Sequence, residues 1–444
     1  MRAIALIDGE HYPPVVRFAL GALAGEYDVV GAVFIGGTEK VDAEASEEVY
    51  GVPVVRGEDR LSALRAAIAA FTPDVAVDLS DEPVVDAPAR FELASVALEA
   101  GVTYRAADAT FTPPRVRQTT RTPTLAIIGT GKRVGKTAVS AHIARHLKAV
   151  GRDIVVLAMG RGGPAEPELI RGDEVALTTE DLLALALKGV HAASDNYEDA
   201  VMSRVTTVGC RRCGGGLAGE TFFSNVPEGA RLADTLGKEL LILEGSGAAI
   251  PPVHADATIL VVGAGQGVPY VRDYFGPFRL ARADAVIVAG AEEPTASAEE
   301  LADLVSAIRR HREDVPIVLT TFRPRPIGVL EGARVFFATT APPAVLPALT
   351  AHLERAYGCD VVAASAHLSN RTLLREDMRA WAGRYDLLLT ELKAAAIDVV
   401  AAAGAEAGVP TVLCDNEPVV TDGGDLAAVI DRAIDQVFER HGTR

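Results

Sequence analysis

Short apolar runs rich in Val, Ile and Ala alternate with Ala/Leu-rich stretches of helical period along most of this chain. In the N-terminal part, the runs 3–7, 29–35 and 74–79 predict strands, and 15–24 and 61–71 predict helices. The stretch 111–123 is dense in Pro, Thr and Arg, lacks an apolar period and predicts a boundary. A second unit predicts strands at 124–128, 153–158, 240–243, 257–262, 285–289 and 317–320, with helices at 136–149, 180–187 and 298–311. These strand runs do not alternate, so both faces are covered and the sheet is mainly parallel. Beyond 322–326, Phe-Arg-Pro-Arg-Pro, a third unit predicts strands at 335–338, 360–364, 387–390 and 411–414. The expected partition is therefore 1–118, 119–327 and 328–444.

One segment makes the middle unit specific. A buried strand runs into Gly129-Thr130-Gly131-Lys132-Arg133-Val134-Gly135-Lys136-Thr137-Ala138, and an amphipathic helix follows. Strand, glycine-rich turn, Gly-Lys-Thr and helix are the parts of a P-loop, in the order phosphate binding needs. Residues 129–138 are thus candidate nucleotide contacts, with Lys136 reaching the β and γ oxygens of ATP and the Thr137 hydroxyl ligating Mg²⁺. The spacing departs from the usual motif, since Thr130 stands where its first Gly belongs and glycines flank it. The fold class is α/β, with a P-loop NTPase-type sheet in the centre and α/β units on either side.

Other candidates fall at carboxyl ends of predicted strands, where open α/β sheets hold ligands. Arg161 and Gly162 lie in Met-Gly-Arg-Gly-Gly-Pro after one strand, a loop suited to a compact anion. Three Arg, at 204, 211 and 212, cluster with glycines in 203–216, which reads as a charged loop for a polyanion. Asp195, between a helix and a strand, is a candidate Mg²⁺-side carboxylate. Phe322 and Pro324 could hold adenine between them. Asp8, Glu10 and His11 follow the first strand and read as a site loop. Cys210 and Cys213 have the spacing of a zinc or redox pair, but no other Cys or His shows partner spacing, which leaves ordinary loop geometry.

Composition narrows the function classes. Sixty acidic residues against 43 basic give a net charge of −17, which argues against general nucleic-acid binding. Only seven of those basic residues are Lys, so most positive charge sits on the forked guanidinium of Arg. Four Cys cannot form a disulfide framework, and the chain reaches Asp8 before a signal-peptide core could build, which predicts a cytoplasmic protein. The longest uncharged stretch, 335–353, is broken by Pro342, Pro343 and Pro347, so no membrane span is expected.

The loop 129–137 resembles that of dethiobiotin synthetase, which shares the offset, as does Glu244-Gly245-Ser246-Gly247 after a buried strand. That resemblance implies Glu244 beside Mg²⁺ and the γ-phosphate. Taken with Ile7-Asp-Gly-Glu-His-Tyr-Pro13 and the Arg161 loop, nearly the whole chain resembles the cyclic 2,3-diphosphoglycerate synthetase family. The resemblance implies ATP-dependent closure of 2,3-diphosphoglycerate to its cyclic pyrophosphate, with ADP and phosphate released, in a cytoplasmic homodimer. A substrate carrying about five negative charges needs several cations around it. Lys132, Lys136, Arg161 and Glu244 are the expected catalytic residues; Asp8, Glu10, His11, Arg161, Gly162, Arg204, Arg211 and Arg212 are the expected substrate contacts. A dethiobiotin-synthetase-like ligase acting on another small anion and a regulatory P-loop ATPase are the competing readings.

Overall fold

The computed structural model describes residues 1–41 and 47–443. Its backbone packing forms two compact units, one of Met1–Arg115, Val268–Arg282 and Ser306–Glu313, the other of Val116–Gly267, Ala283–Val305 and Asp314–Arg444. In the first, strands β1 (Arg2–Ile7), β2 (Asp28–Phe34), β3 (Val54–Val55), β4 (Val75–Asp78), β5 (Thr103–Arg105) and β6 (Thr110–Phe111) form one sheet in the order β3-β2-β1-β4-β5-β6. Only β6 runs antiparallel to its neighbour. The expected strands and helices of this region are present, the helices as Pro13–Leu23 and Arg60–Phe71.

The second unit holds thirteen strands in a single sheet: β7 (Thr124–Gly129), β8 (Ile154–Gly160), β9 (Glu168–Arg171), β10 (Thr206–Cys213), β11 (Phe223–Ser224), β12 (Leu240–Glu244), β13 (Ala257–Gly263), β14 (Ala285–Ala289), β15 (Ile317–Pro326), β16 (Arg334–Ala338), β17 (Asp360–Ser365), β18 (Leu387–Glu391) and β19 (Thr411–Val420). The order is β11-β10-β8-β12-β7-β13-β14-β15-β19-β18-β16-β17, with β9 on β10. Strands β7, β12 and β13 are buried along their whole length, as their unbroken apolar runs require.

The third expected segment continues this sheet. Strands β15 and β19 extend past their predicted ends at 320 and 414 because they pair antiparallel, from Thr320 against Val420 to Pro326 against Cys414. Pro324 and Pro326 are tolerated there since β14 covers β15 only as far as Thr320, leaving one side of the ladder open for their missing N–H groups. Helix Leu426–Gly442 then returns under the sheet, placing Ile430, Ile434 and Val437 in the same core as Leu125, Ile127 and Ile242. Two segments taken as loops from sequence are regular. Residues Asp195–Ser203 form a helix, and Thr206–Cys213 is a strand held between β8 and β9.

The β15–β19 pair is braced from the P-loop helix Lys136–Ala149. Arg145 bonds Asp415 and Glu417, and His142 bonds Glu417. Burial works to raise the Glu417 carboxyl; the His142 hydrogen bond and the Arg145 charge overcome it and hold the pKa below its ordinary value. A depressed carboxylate contributes stability that is present above its unfolded pKa of 4.5 and lost as pH falls through the folded value. The urea midpoint of the wild type is therefore expected to drop more between pH 7 and pH 4 than that of Glu417→Gln. Equal drops in the two proteins would remove Glu417 as an acid-sensitive brace.

Candidate functional site

A cavity of about 860 Å³ opens in the second unit, at the carboxyl ends of β7, β8, β12 and β13 on one side and of β16 and β18 on the other. The P-loop forms its floor. Thr130 occupies its unusual position for a reason: its N–H bonds Val261 O (3.1 Å) and its hydroxyl bonds Gln266 Oε1 (2.6 Å). A Cβ at Gly131 would stand 2.4 Å from Gln266 Nε2, so a larger residue there would displace the side chain that holds Thr130. Gly135 has φ +91°, and a Cβ there would stand 2.2 Å from the Phe322 ring. Val134 is buried in the core cluster beneath and anchors the loop, leaving only its backbone for a ligand.

Lys136 arches over this loop and donates to Gly131 O (2.8 Å). Burial pulls its pKa down to about 8, against the opposing charges of Glu244 and Asp195. Lys132, Arg133, Thr137 and Ala138 also line the cavity. Glu244, at the end of β12, faces Thr137; burial first, then the Asp195 charge, push its pKa up to about 7. Asp199 lies beside it with both carboxyl oxygens unbonded, and burial followed by the Glu244 charge raise its pKa far above the carboxylate range. Glu244 Oε2 is buried and lacks a hydrogen-bond partner. An orphaned carboxylate oxygen next to a P-loop Thr fits Mg²⁺, which takes one or two carboxylates and completes its shell with phosphate oxygens and water. No cluster of three His, Cys, Asp or Glu ligands occurs among the described residues. Asp195, at the first turn of helix Asp195–Ser203, lines the same cavity.

Arg161 and Gly162 line the cavity together with Gly245, Ser246 and Gly247, the turn that follows Glu244. Arg212 reaches the same turn, donating through Nη2 to Ser246 O (2.6 Å).

Family models of cyclic 2,3-diphosphoglycerate synthetase match this chain in three segments: the N-terminal domain at 2–112, the P-loop domain at 124–321 and the C-terminal domain at 326–417. The cyclic 2,3-diphosphoglycerate synthetase of Rubrobacter xylanophilus is 50% identical over 94% of each chain. That of Methanothermus fervidus is 47% identical over 99% of this chain and 97% of its own. The chain belongs to the cyclic 2,3-diphosphoglycerate synthetase family.

Not every expected contact of this synthetase-family chain reaches the cavity. Arg204 stands before the first residue of β10, at the amino end, whereas Arg212 lies near the carboxyl end; eight strand residues span about 26 Å. Arg204 instead adopts a left-handed conformation at a helix end and bonds Gly172 O (2.8 Å). Arg211 points to the opposite face from Arg212, as strand period dictates, and ties Gly163 O and Pro164 O in place. Pro324 is buried in the β15–β19 ladder and does not line the cavity, so no clamp forms between it and Phe322, which does. Cys210 and Cys213 likewise face opposite sides of β10, Cys210 buried and Cys213 exposed, which rules out a shared ligand. Asp8, Glu10 and His11 belong to the first unit, where Asp8 accepts from the N–H groups of Glu10, His11 and Asp81 and from the His11 ring.

Several lining residues carried no sequence signal. Gln266, His191, Glu292 and Lys393 stand in turns after strands or helices, and Pro342, Val345 and Leu349 form an apolar wall beyond Phe322. Lys393 bonds Glu198 Oε1 (3.0 Å). Replacing Arg204 with Ala is expected to leave ligand affinity at the wild-type level and to cost stability of about 1 kcal/mol, the worth of its backbone hydrogen bond. Calorimetric binding beside a urea titration checks this, and a tenfold loss of affinity would return Arg204 to the site.

Proposed function

We propose that this protein is an ATP-dependent ligase that closes 2,3-diphosphoglycerate into its cyclic pyrophosphate and releases ADP and inorganic phosphate. The observation that carries the reading is the sharing of one cavity by a P-loop lysine, a Thr–Glu pair with an unsatisfied oxygen, and Arg161, with Arg212 bonded to Ser246 of the same lining. Family membership supplies the substrate class, with relatives of this name 44–50% identical over nearly the full chain.

The arrangement supports two displacements. A substrate phosphate oxygen attacks the γ-phosphorus of ATP; the bond to the β–γ bridging oxygen breaks and its electron pair leaves on ADP. The substrate then carries a phosphoanhydride. Its second phosphate attacks the inner phosphorus, the anhydride bond breaks, and inorganic phosphate departs with that oxygen. This closure is intramolecular, so holding the substrate folded converts it into a reaction at high effective concentration. Phosphoryl transfer demands positioning and charge stabilisation, which fits a site built from cations and loop amides. Lys136, with Lys132 and Arg133 beside it, serves the ATP phosphates. Thr137 and Glu244 would hold Mg²⁺, with Asp195 nearby; the ion would supply charge neutralisation of the phosphates. Phe322, Pro342, Val345 and Leu349 offer the base an apolar wall. The reading includes a cytoplasmic homodimer, as the sequence resemblance implies; among the described residues no helix is long and apolar enough to cross a membrane.

Phosphorus NMR of the protein with ATP, Mg²⁺ and 2,3-diphosphoglycerate tests the reading directly. Ring pyrophosphate resonances are expected to grow in step with ADP and phosphate and to be absent with Lys136→Ala. ATP hydrolysis at one rate with and without the substrate, and no ring signal, would overturn the assignment in favour of another ligase or a regulatory ATPase.

A further inference from the structure

Two guanidinium groups of the second unit converge on one glycine. A Cβ at Gly247 would stand 2.7 Å from Arg161 Nη2 and 3.2 Å from Arg212 Nη2. Gly247 has φ +62°, so the chain uses glycine both for its backbone conformation and for the open space above it. Like charges brought this close in a partly buried wall repel each other unless an anion lies between them. Among the described residues none is supplied within ion-pair distance: Asp195 is the carboxylate whose charge acts on both, and it bonds neither.

The donors that remain free are those an anion would use. Arg161 has no hydrogen-bond or ion-pair partner among the described residues, although it lines the cavity. Arg212 is fixed by Ser246 O, at 2.6 Å from Nη2, and Gly214 O, at 3.1 Å from Nη1, while its buried Nε has no partner. Burial first and the Arg161 charge second hold the Arg212 pKa below its ordinary value, the strain of a cation awaiting its counter-ion. Both charges also act on Lys136, and Arg161 lines the same cavity as that P-loop lysine.

We infer that Arg161 and Arg212 form a clamp for one phosphate group over Gly247, separate from the P-loop's nucleotide phosphates, and that it holds the substrate phosphate that accepts the γ-phosphoryl group. The inference rests on the proposed reading that this cavity sets ATP beside a phosphorylated acceptor. Guanidinium N–H groups bond phosphate oxygens at about 2.7–2.9 Å, which a phosphate seated above Gly247 satisfies from both sides. Arg212, pinned by two carbonyls, sets the direction; Arg161, free at the wall, closes on the ligand. The clamp recognises a phosphate dianion whatever carbon skeleton bears it, so inorganic phosphate is its minimal ligand.

The test titrates inorganic phosphate into protein loaded with Mg²⁺ and ADP, by calorimetry, for the wild type, Arg161→Ala, Arg161→Lys and Gly247→Ala. Phosphate affinity is expected to fall at least tenfold in Arg161→Ala and Gly247→Ala and to be partly restored in Arg161→Lys, while ADP affinity stays within twofold. The KM for 2,3-diphosphoglycerate is expected to rise in the same order, with the KM for ATP unchanged. Because a side chain at Gly247 strains the backbone, the Arg161 variants carry the test if Gly247→Ala does not fold. No phosphate binding to the wild type, unchanged phosphate affinity in Arg161→Ala, or parallel loss of ADP affinity would each overturn the clamp. If phosphate binding behaves as expected but no ring product forms, the clamp stands and the cyclisation reading fails; ring formation with an unaltered KM in Arg161→Ala sinks the clamp alone.

Discussion

The antiparallel pairing of β15 with β19 is the interaction on which the cavity depends. It joins the sheet that carries the P-loop to β16, β17 and β18, so loops from both halves of the second unit open at one edge. Without it, the apolar wall around Pro342 and the Glu391–Lys393 turn would not face Lys136. The pairing is held by charge as much as by backbone. Asp415 is buried and bonded by Arg145, and Arg325 lies close to both Asp415 and Glu417. Such a network is costly to break singly, because removing one partner strands a buried charge at about 3–5 kcal/mol. The P-loop helix supplies Arg145 and His142, so the element that cradles phosphates also fastens the C-terminal strands.

The same economy governs the acids. Helix Asp195–Ser203 carries Asp195, Glu198 and Asp199 toward Glu244, a density of negative charge that burial alone would oppose. Burial pushes Glu198 up to about 8, yet Glu198, Glu391 and Asp415 together keep Lys393 charged against its own desolvation. Asp199 and Glu244 hold three buried oxygens with no hydrogen-bond partner, and burial followed by the Glu244 charge raises the Asp199 pKa. At the glycine turn that follows Glu244 the balance reverses, with Arg161 and Arg212 gathered at Gly247. Acids and arginines therefore meet at one sheet edge, Arg212 bonding Ser246 two residues beyond Glu244.

How much of this the sequence disclosed depends on how local each signal was. The P-loop, Glu244 and Arg161 were legible because each is a strand followed at once by its glycine turn, and the chain order itself places the side chain at a carboxyl edge. The Arg cluster misled because three arginines close in sequence were treated as one loop. Once 206–213 is a strand, its length carries Arg204 to the wrong end and its two-residue period turns Arg211 away from Arg212. The Phe322–Pro324 clamp failed through the same omission, since the strand continues through both residues. Lys393 and the Pro342–Leu349 wall were invisible for a deeper reason: only the β15–β19 register brings them to the P-loop, and no local pattern encodes a pairing across some ninety residues.

The first unit shows the opposite case, where the right loop was found and its residues divide by chemistry. The strand order reverses between β1 and β4, and the loops after these strands flank the crevice where such sheets hold ligands. Asp8, after β1, is buried, and both its oxygens are occupied: Oδ1 by the N–H groups of Glu10 and His11 and by the His11 ring, Oδ2 by the N–H of Asp81 after β4. Its carboxylate therefore ties the two loops together and has little left for a ligand. Glu10 faces Glu39, whose hydrogen bond raises its pKa, and is poorly suited to approach a polyanion. His11 differs: Asp8 takes Nδ1 at 2.8 Å, fixing the ring, while a third of the side chain stays open. With Nδ1 held by a carboxylate, the imidazole presents Nε2 in a set direction, the same logic by which buried acids orient catalytic and metal-binding histidines. Of the three side chains, His11 is thus the one with an open, oriented ring nitrogen, and Asp8 is what orients it.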